Sequence, residues 1–169
     1  MIEDVVKELG YLALGTRLKR LGERLQSQTQ VLLGAAGIDL PSSLFPVLAA
    51  LDRLGPLRVG ELTEALGVSQ PGVTRMLEKL SEEGLVQSRQ HSADRRVRTI
   101  ALSRSGQHLI ARARRVVWPR VTAAVADACS GPARPLLAQL AALEEAIAAA
   151  PLNVRAERAR PGTRRHAAA

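Results

Sequence analysis

ELTEALGVSQPGVTRMLEKLSEEGLV, residues 61–86, holds two amphipathic helices joined by a tight turn. In the first, about Gly60 to Leu66, Leu62 and Leu66 fall on one face and Glu61 and Glu64 on the other, the spacing of a surface helix. Gly67 stops it, because glycine enters the left-handed conformation that ends a helix without a Cβ clash. The second helix takes Ser69 as its N-cap, tolerates Pro71 in its first turn and turns Val73, Leu77 and Leu80 to the core. That leaves Gln70, Gly72, Thr74, Arg75, Glu78 and Lys79 on the outer face.

Downstream of Gly84, Leu85 to Gln90 and Val97 to Leu102 have the composition of two strands, separated by the polar turn His91-Ser92-Ala93-Asp94. This hairpin opens a basic stretch. Between Arg89 and Arg115 the chain carries arginines at 89, 95, 96, 98, 104, 112, 114 and 115 against one acid, Asp94, a local excess of +7 in a chain whose net charge is +8. So focused a field attracts polyanions, and an anionic membrane surface would also answer to it.

Helix, helix, glycine turn, helix and basic hairpin is the order of a winged helix-turn-helix, in which the second helix of the pair enters the DNA major groove. Each outward residue then acquires a task. Gln70 and Arg75 are suited to base edges, Arg75 bidentately, while the Ser69 and Thr74 hydroxyls and the helix N-terminus are suited to phosphates. Gly72 and Lys79 share that face, and which contact each residue makes stays open. In the hairpin, Asp94 can fix one of Arg95 and Arg96 while the other probes the minor groove, with Arg98 behind them. Arg112, Arg114 and Arg115 read as a solvated face.

Outside this lobe the pattern is helical. Apolar positions from Val5 to about Leu33 describe one long helix with a seam of Leu14, Leu18, Leu21 and Leu25. After Pro41, Ser43 is placed to cap a helix with Leu44, Val47, Leu48, Leu51 and Leu54 inward and Pro46 in its first turn. A further long helix is expected from about Ser103 to Ala128, with Leu109, Ala113, Val116, Val117 and Val121 inward and a kink at Pro119. The last, about Arg134 to Ala149, spaces Leu136, Leu140, Leu143 and Ile147 as a packing seam in need of a partner. Past Pro151 the chain turns to Arg, Ala, Pro and Gly and is expected to be a disordered basic tail.

Composition narrows the functional classes. Aromatic residues are only 2% of the 169, so the core must be built from Leu, Val and Ala. No apolar run approaches the roughly 18 residues of a membrane span and no basic start resembles a signal peptide, so a cytoplasmic protein is expected. The single cysteine, Cys129, excludes an internal disulfide and lacks an activating neighbour for redox sensing. His91, His108 and His166 lie far apart without a ligand cluster, so neither a metal nor another cofactor is expected. Nucleotide-binding glycine loops, H-E-x-x-H and G-x-S-x-G are all absent, which argues against an enzyme. A non-specific architectural DNA-binding protein and a protein-contacting module remain alternatives.

ELTEALGVSQPGVTRMLEKLSEEGLV followed by DRRVRTIALSRSG (residues 94–106) resembles the helix-turn-helix and wing of the MarR family, over about Leu44 to Gly106. The resemblance implies a mainly α fold with a small β-hairpin wing, the winged lobe (41–106) carried on a helical dimerisation scaffold (1–40 and 107–150), with 151–169 outside the pattern. It implies a homodimer bound to double-stranded DNA at a pseudo-palindromic operator, and repression relieved by a small aromatic or phenolic effector. By the same analogy a pocket would lie where scaffold meets lobe, near Tyr11, Leu14, Leu18, Phe45 and Leu48. Two residues depart from the pattern. Arg58 stands where a capping Ser or Thr is expected, and Gly72 loosens the first turn of the recognition helix.

Overall fold

The first helical stretch is interrupted at Gly10. The computed structural model describes residues 3–90, 98–129 and 136–158, and in it the single helix expected from Val5 becomes α1 (Val5–Glu8), a 3-10 turn (Gly10–Ala13) and α2 (Leu14–Ala35). Gly10 has φ of 54°, a left-handed conformation that a helix cannot continue through. Asp4 then reaches back across the break to Arg20 on α2, at 2.8 and 3.2 Å. The Arg20 guanidinium holds the Asp4 carboxyl below the ordinary carboxylate value.

Gln30 fixes how α2 hands over to the lobe. Its amide nitrogen donates to the Leu40 carbonyl at 3.2 Å and its oxygen accepts from the Ser42 N–H at 2.7 Å, while the Ser42 hydroxyl donates to the Gln26 carbonyl at 3.0 Å. A 3-10 turn, Ser42–Leu44, then leads into α3 (Phe45–Leu54), with Pro46 in its first turn. Ser43 does not cap this helix, because the 3-10 turn moves the N-cap position to Leu44. Leu44, Val47, Leu48 and Leu51 are buried as the spacing requires, but Leu54 is 56% exposed beside the terminating Gly55.

The next elements are α4 (Val59–Leu66), α5 (Gln70–Glu82), β1 (Val86–Gln90) and β2 (Arg98–Leu102). The strands pair antiparallel from Val86 opposite Leu102 to Gln90 opposite Arg98. Leu57 adds a bridge that the sequence did not suggest, exchanging backbone hydrogen bonds of 3.0 and 2.7 Å with Ile100. This ties the entrance of α4 to β2, which lies between Leu57 and β1.

Ser103 caps α6 (Arg104–Val116) by accepting from the Gly106 N–H at 3.0 Å. The long helix expected through Ala128 divides in two, with α7 (Trp118–Ala128) following a joint at Val117. Pro119 has no N–H to offer the Arg115 carbonyl, so the α-helical ladder fails one turn before it. Ile110, Ala113 and Val117 face inward, whereas Val116 is exposed.

The chain forms two compact units, residues 1–123 and 124–169. In the first, Leu33, Leu48, Leu62, Leu80, Ile110 and Val117 belong to one apolar core, each at most 2% exposed. Full burial of each such side chain is worth about 1.5–3 kcal/mol, so this core holds α2 to α6 around the hairpin. The second unit contains α8 (Leu136–Ala149) and α9 (Leu152–Arg158). The expectation of a disordered tail from 151 is corrected here over Leu152–Arg158. Arg155 donates from Nε to the Ala150 carbonyl at 2.8 Å and from a terminal nitrogen to the Ala146 carbonyl, so a cation occupies the negative end of α8.

Candidate nucleic-acid interface

The lobe presents α5 by fixing both ends of α4. At its start the Arg58 N–H donates to the Glu61 carboxylate at 2.7 Å, the half of a capping box that the third helical residue supplies. Glu61 also places negative charge at the positive end of the helix. At its end Gly67 adopts φ of 63°, and the chain turns at once into Ser69 and α5.

Burial of Val73, Leu77 and Leu80 sets the rotation of α5. Gln70, Thr74, Arg75, Glu78 and Lys79 are consequently exposed, and Gly72 is half-buried. Gln70, Pro71, Thr74 and Arg75 border one open hollow on this face. Ser69 occupies the N-cap position with extended backbone, but its hydroxyl makes no capping hydrogen bond. A Cβ placed on Gly72 would sit 3.3 Å from that hydroxyl, so glycine at this position leaves Ser69 room. The Thr74 hydroxyl donates to the Gln70 carbonyl at 3.0 Å. Its proton is therefore already spent, and of the two hydroxyls Ser69 is the better placed donor to a phosphate oxygen, which can only accept.

The arginines of the basic stretch separate into two groups. Arg89 on β1, Arg98 at the start of β2 and Arg104 on α6 are exposed on or beside the hairpin. Arg112 instead donates to the Ala36 carbonyl at the end of α2, and Arg114 pairs with Asp52 on α3 and lies over the Trp118 ring, 5.8 Å from its centre. Both are exposed, as a solvated face requires, and both also brace helices within the unit. Asp94, Arg95 and Arg96 lie outside the described residues.

A cavity of about 250 Å³ opens between α2, the start of α3 and the α6–α7 joint, lined among others by Leu33, Phe45, Val117 and Trp118. Of the five residues named for a pocket, Phe45 lines it. Leu48 lies in the core, Leu14 is half-buried, Leu18 is exposed and Tyr11 is 95% exposed. Trp118, the one tryptophan of the chain, was the missed signal, since it stands immediately before the helix-breaking Pro119.

Residues 40–97 match the family model described as MarR family. Over these residues the chain is similar to the MarR family. It is 36% identical over 75 residues to an uncharacterised HTH-type transcriptional regulator of Bacillus cereus, which is 44% of this chain and 49% of that protein. It is 32% identical over 89 residues to the HTH-type transcriptional repressor MdtR of Bacillus subtilis, 53% of this chain and 56% of MdtR. The chain thus spans about half the length of the curated relatives it matches. Among solved structures, the transcriptional repressor CouR bound to a 23-mer DNA duplex is 27% identical, with a TM-score of 0.61 over 83% of this chain and 96% of CouR. The MarR-type segment therefore holds α3 to β1, and the fold agreement extends well beyond it on both sides.

Proposed function

We propose that the chain is a sequence-specific DNA-binding transcriptional regulator, a repressor that acts as a cytoplasmic homodimer on a pseudo-palindromic operator and is released by a small effector. The observation that carries this reading is the outer face of α5. Gln70 and Arg75 stand exposed there, opposite a buried Val73, Leu77 and Leu80, with Arg89 and Arg98 exposed on the adjoining hairpin. Amide and guanidinium groups on a helix of groove-fitting size read base edges, while basic residues on the wing hold the backbone. The similarity to MdtR and to DNA-bound CouR supports the same reading.

A homodimer accounts for apolar side chains that the single chain leaves in water. Leu18, Leu21 and Leu25 are exposed along one side of α2, a stripe that in a soluble protein marks a partner surface. Two such lobes would place their recognition helices in successive major grooves.

The test is selection of bound sequences from random DNA duplexes at near-physiological salt. An inverted repeat with half-sites about 10 base pairs apart, one helical turn, is the expected result. DNA retained without any motif would replace operator binding with an architectural role, and no retention would defeat the reading.

A further inference from the structure

One carboxylate stands on the outer face of α5 with nothing to hold it. Glu78 is exposed there together with Thr74, Arg75 and Lys79. It borders a hollow between α5 and the hairpin, beside Thr74 and Ser81 on α5 and Gln87 and Ser88 on β1. Among the described residues no ion pair or hydrogen bond engages its carboxylate, although Arg75 lies three residues before it. Its place four residues before Glu82 is a like-charge spacing that weakens a helix. Packing does not need it either, since the buried side of α5 is Val73, Leu77 and Leu80. Neither the helix nor the core accounts for an acid at this position.

Against DNA the same carboxylate is selective. Phosphate oxygens carry like charge and only accept, so they repel it and supply no bond. In the major groove guanine presents O6 and N7 and thymine presents O4, all of them acceptors. Adenine sets its N6 amino group beside the N7 acceptor, whereas cytosine presents the N4 amino group alone. Cytosine is thus the one base whose groove edge gives a carboxylate a donor without an opposing lone pair. Such a charge-assisted bond is stronger than a neutral one. The rise of α5 sets Glu78 about 12 Å along the helix from Gln70, so the two residues address different base pairs.

We infer that Glu78 is a specificity-determining residue, which accepts a hydrogen bond from the N4 amino group of one cytosine in each half-site and penalises any other base there. This rests on the reading of the chain as an operator-binding regulator.

The full-length protein and its Glu78→Ala and Glu78→Gln variants are each put through selection from random duplexes, and the recovered motifs are compared by competition titration. The parent is expected to prefer cytosine at one position of each half-site, with any other base there weakening binding about tenfold. Glu78→Ala should lose that preference, keep the rest of the motif and bind random DNA at least as tightly, because a charge repelled by phosphate is gone. Glu78→Gln should move the preference to adenine, whose N6 and N7 match an amide bidentately. Glu78 has no partner in the fold to lose, so both variants should melt with the parent.

A parent motif recovered unchanged by both variants, or a lost preference for a base other than cytosine, would overturn the inference and leave operator binding standing. If the parent itself selects no motif, the operator reading fails and the inference fails with it.

Discussion

Gly106 lies against the Leu85 carbonyl so closely that a Cβ at this position would collide with the oxygen. The same carbonyl accepts the Ser103 N–H at 3.0 Å, so it cannot swing away without opening the junction of hairpin and α6. Gly106→Ala would gain up to about 1 kcal/mol of helix propensity, but overpacking against backbone costs about 1–3 kcal/mol. The expected result is net destabilisation, read as a lower urea midpoint with an unchanged slope. A midpoint at or above that of the parent would show that the junction yields.

Ser103 and Ser69 stand at equivalent N-cap positions but do different work. The Ser103 hydroxyl accepts from Gly106 and donates to the Gly84 carbonyl at 2.6 Å, whereas the Ser69 hydroxyl makes no capping bond. Ser103→Ala should therefore cost about 1 kcal/mol of stability, and Ser69→Ala distinctly less while still weakening DNA binding. Thermal melts and DNA titrations on the two variants separate the roles; equal losses of stability would refute the distinction.

Much of the lobe was legible because its signals are local. Gly67 and the spacing of Val73, Leu77 and Leu80 fixed the two helices and the outward residues of α5, and the structure exposes Gln70, Thr74, Arg75, Glu78 and Lys79 while leaving Gly72 half-buried. Where the sequence misled, a longer-range partner decided the outcome. Periodicity runs straight through Gly10, and only the left-handed backbone there, with Asp4 folded back to Arg20, separates α1 from α2. Arg112 and Arg114 are surface arginines, and their bonds to the Ala36 carbonyl and Asp52 arise only once α2 and α3 have packed against α6. The capping role of Glu61 follows from its place three residues beyond Arg58 and does not depend on a hydroxyl at the N-cap. Pocket residues were the least legible, since Thr29, Ser42 and Trp118 meet only after α2, α3 and α7 have packed.

The Asp4–Arg20 pair makes the attachment of α1 sensitive to acid. Arg20 lowers the folded-state pKa of Asp4, chiefly by donating hydrogen bonds to its carboxylate. Stability gained from this pair is thus fully present above the unfolded value of about 3.9 and is lost as pH falls through the lower folded value. Both side chains are solvent-accessible, so the effect is local rather than global. NMR titration of the Asp4 carboxyl should show the depressed midpoint, and Arg20→Gln should return it to the ordinary value. No difference between the two proteins would remove the tether.

Arg75 and Gln70 are expected to carry sequence preference rather than bulk affinity. Both are exposed on the outer face of α5, where they border the open hollow. Arg75→Ala and Gln70→Ala should each narrow the free-energy gap between selected and random DNA by about 1–3 kcal/mol, the worth of a base-edge contact. Competition titrations give that gap directly. Equal weakening on both DNAs would reassign the residue to backbone positioning.

The wing should behave in the opposite way. Arg98 is exposed at the start of β2, where it pairs with Gln90 of β1, and Arg95 precedes it by three residues in the sequence, outside the described residues. A guanidinium that neutralises phosphate releases a condensed counterion, so log affinity falls with log salt by about 0.9 for each such contact. Arg95→Ala should weaken selected and random DNA alike and make the salt slope shallower by about that amount. Arg104→Ala, at an exposed position at the start of α6, provides the comparison for loss of one positive charge elsewhere in the lobe. If Arg95→Ala alters the slope no more than Arg104→Ala does, the contribution of the wing is a diffuse field and not a contact.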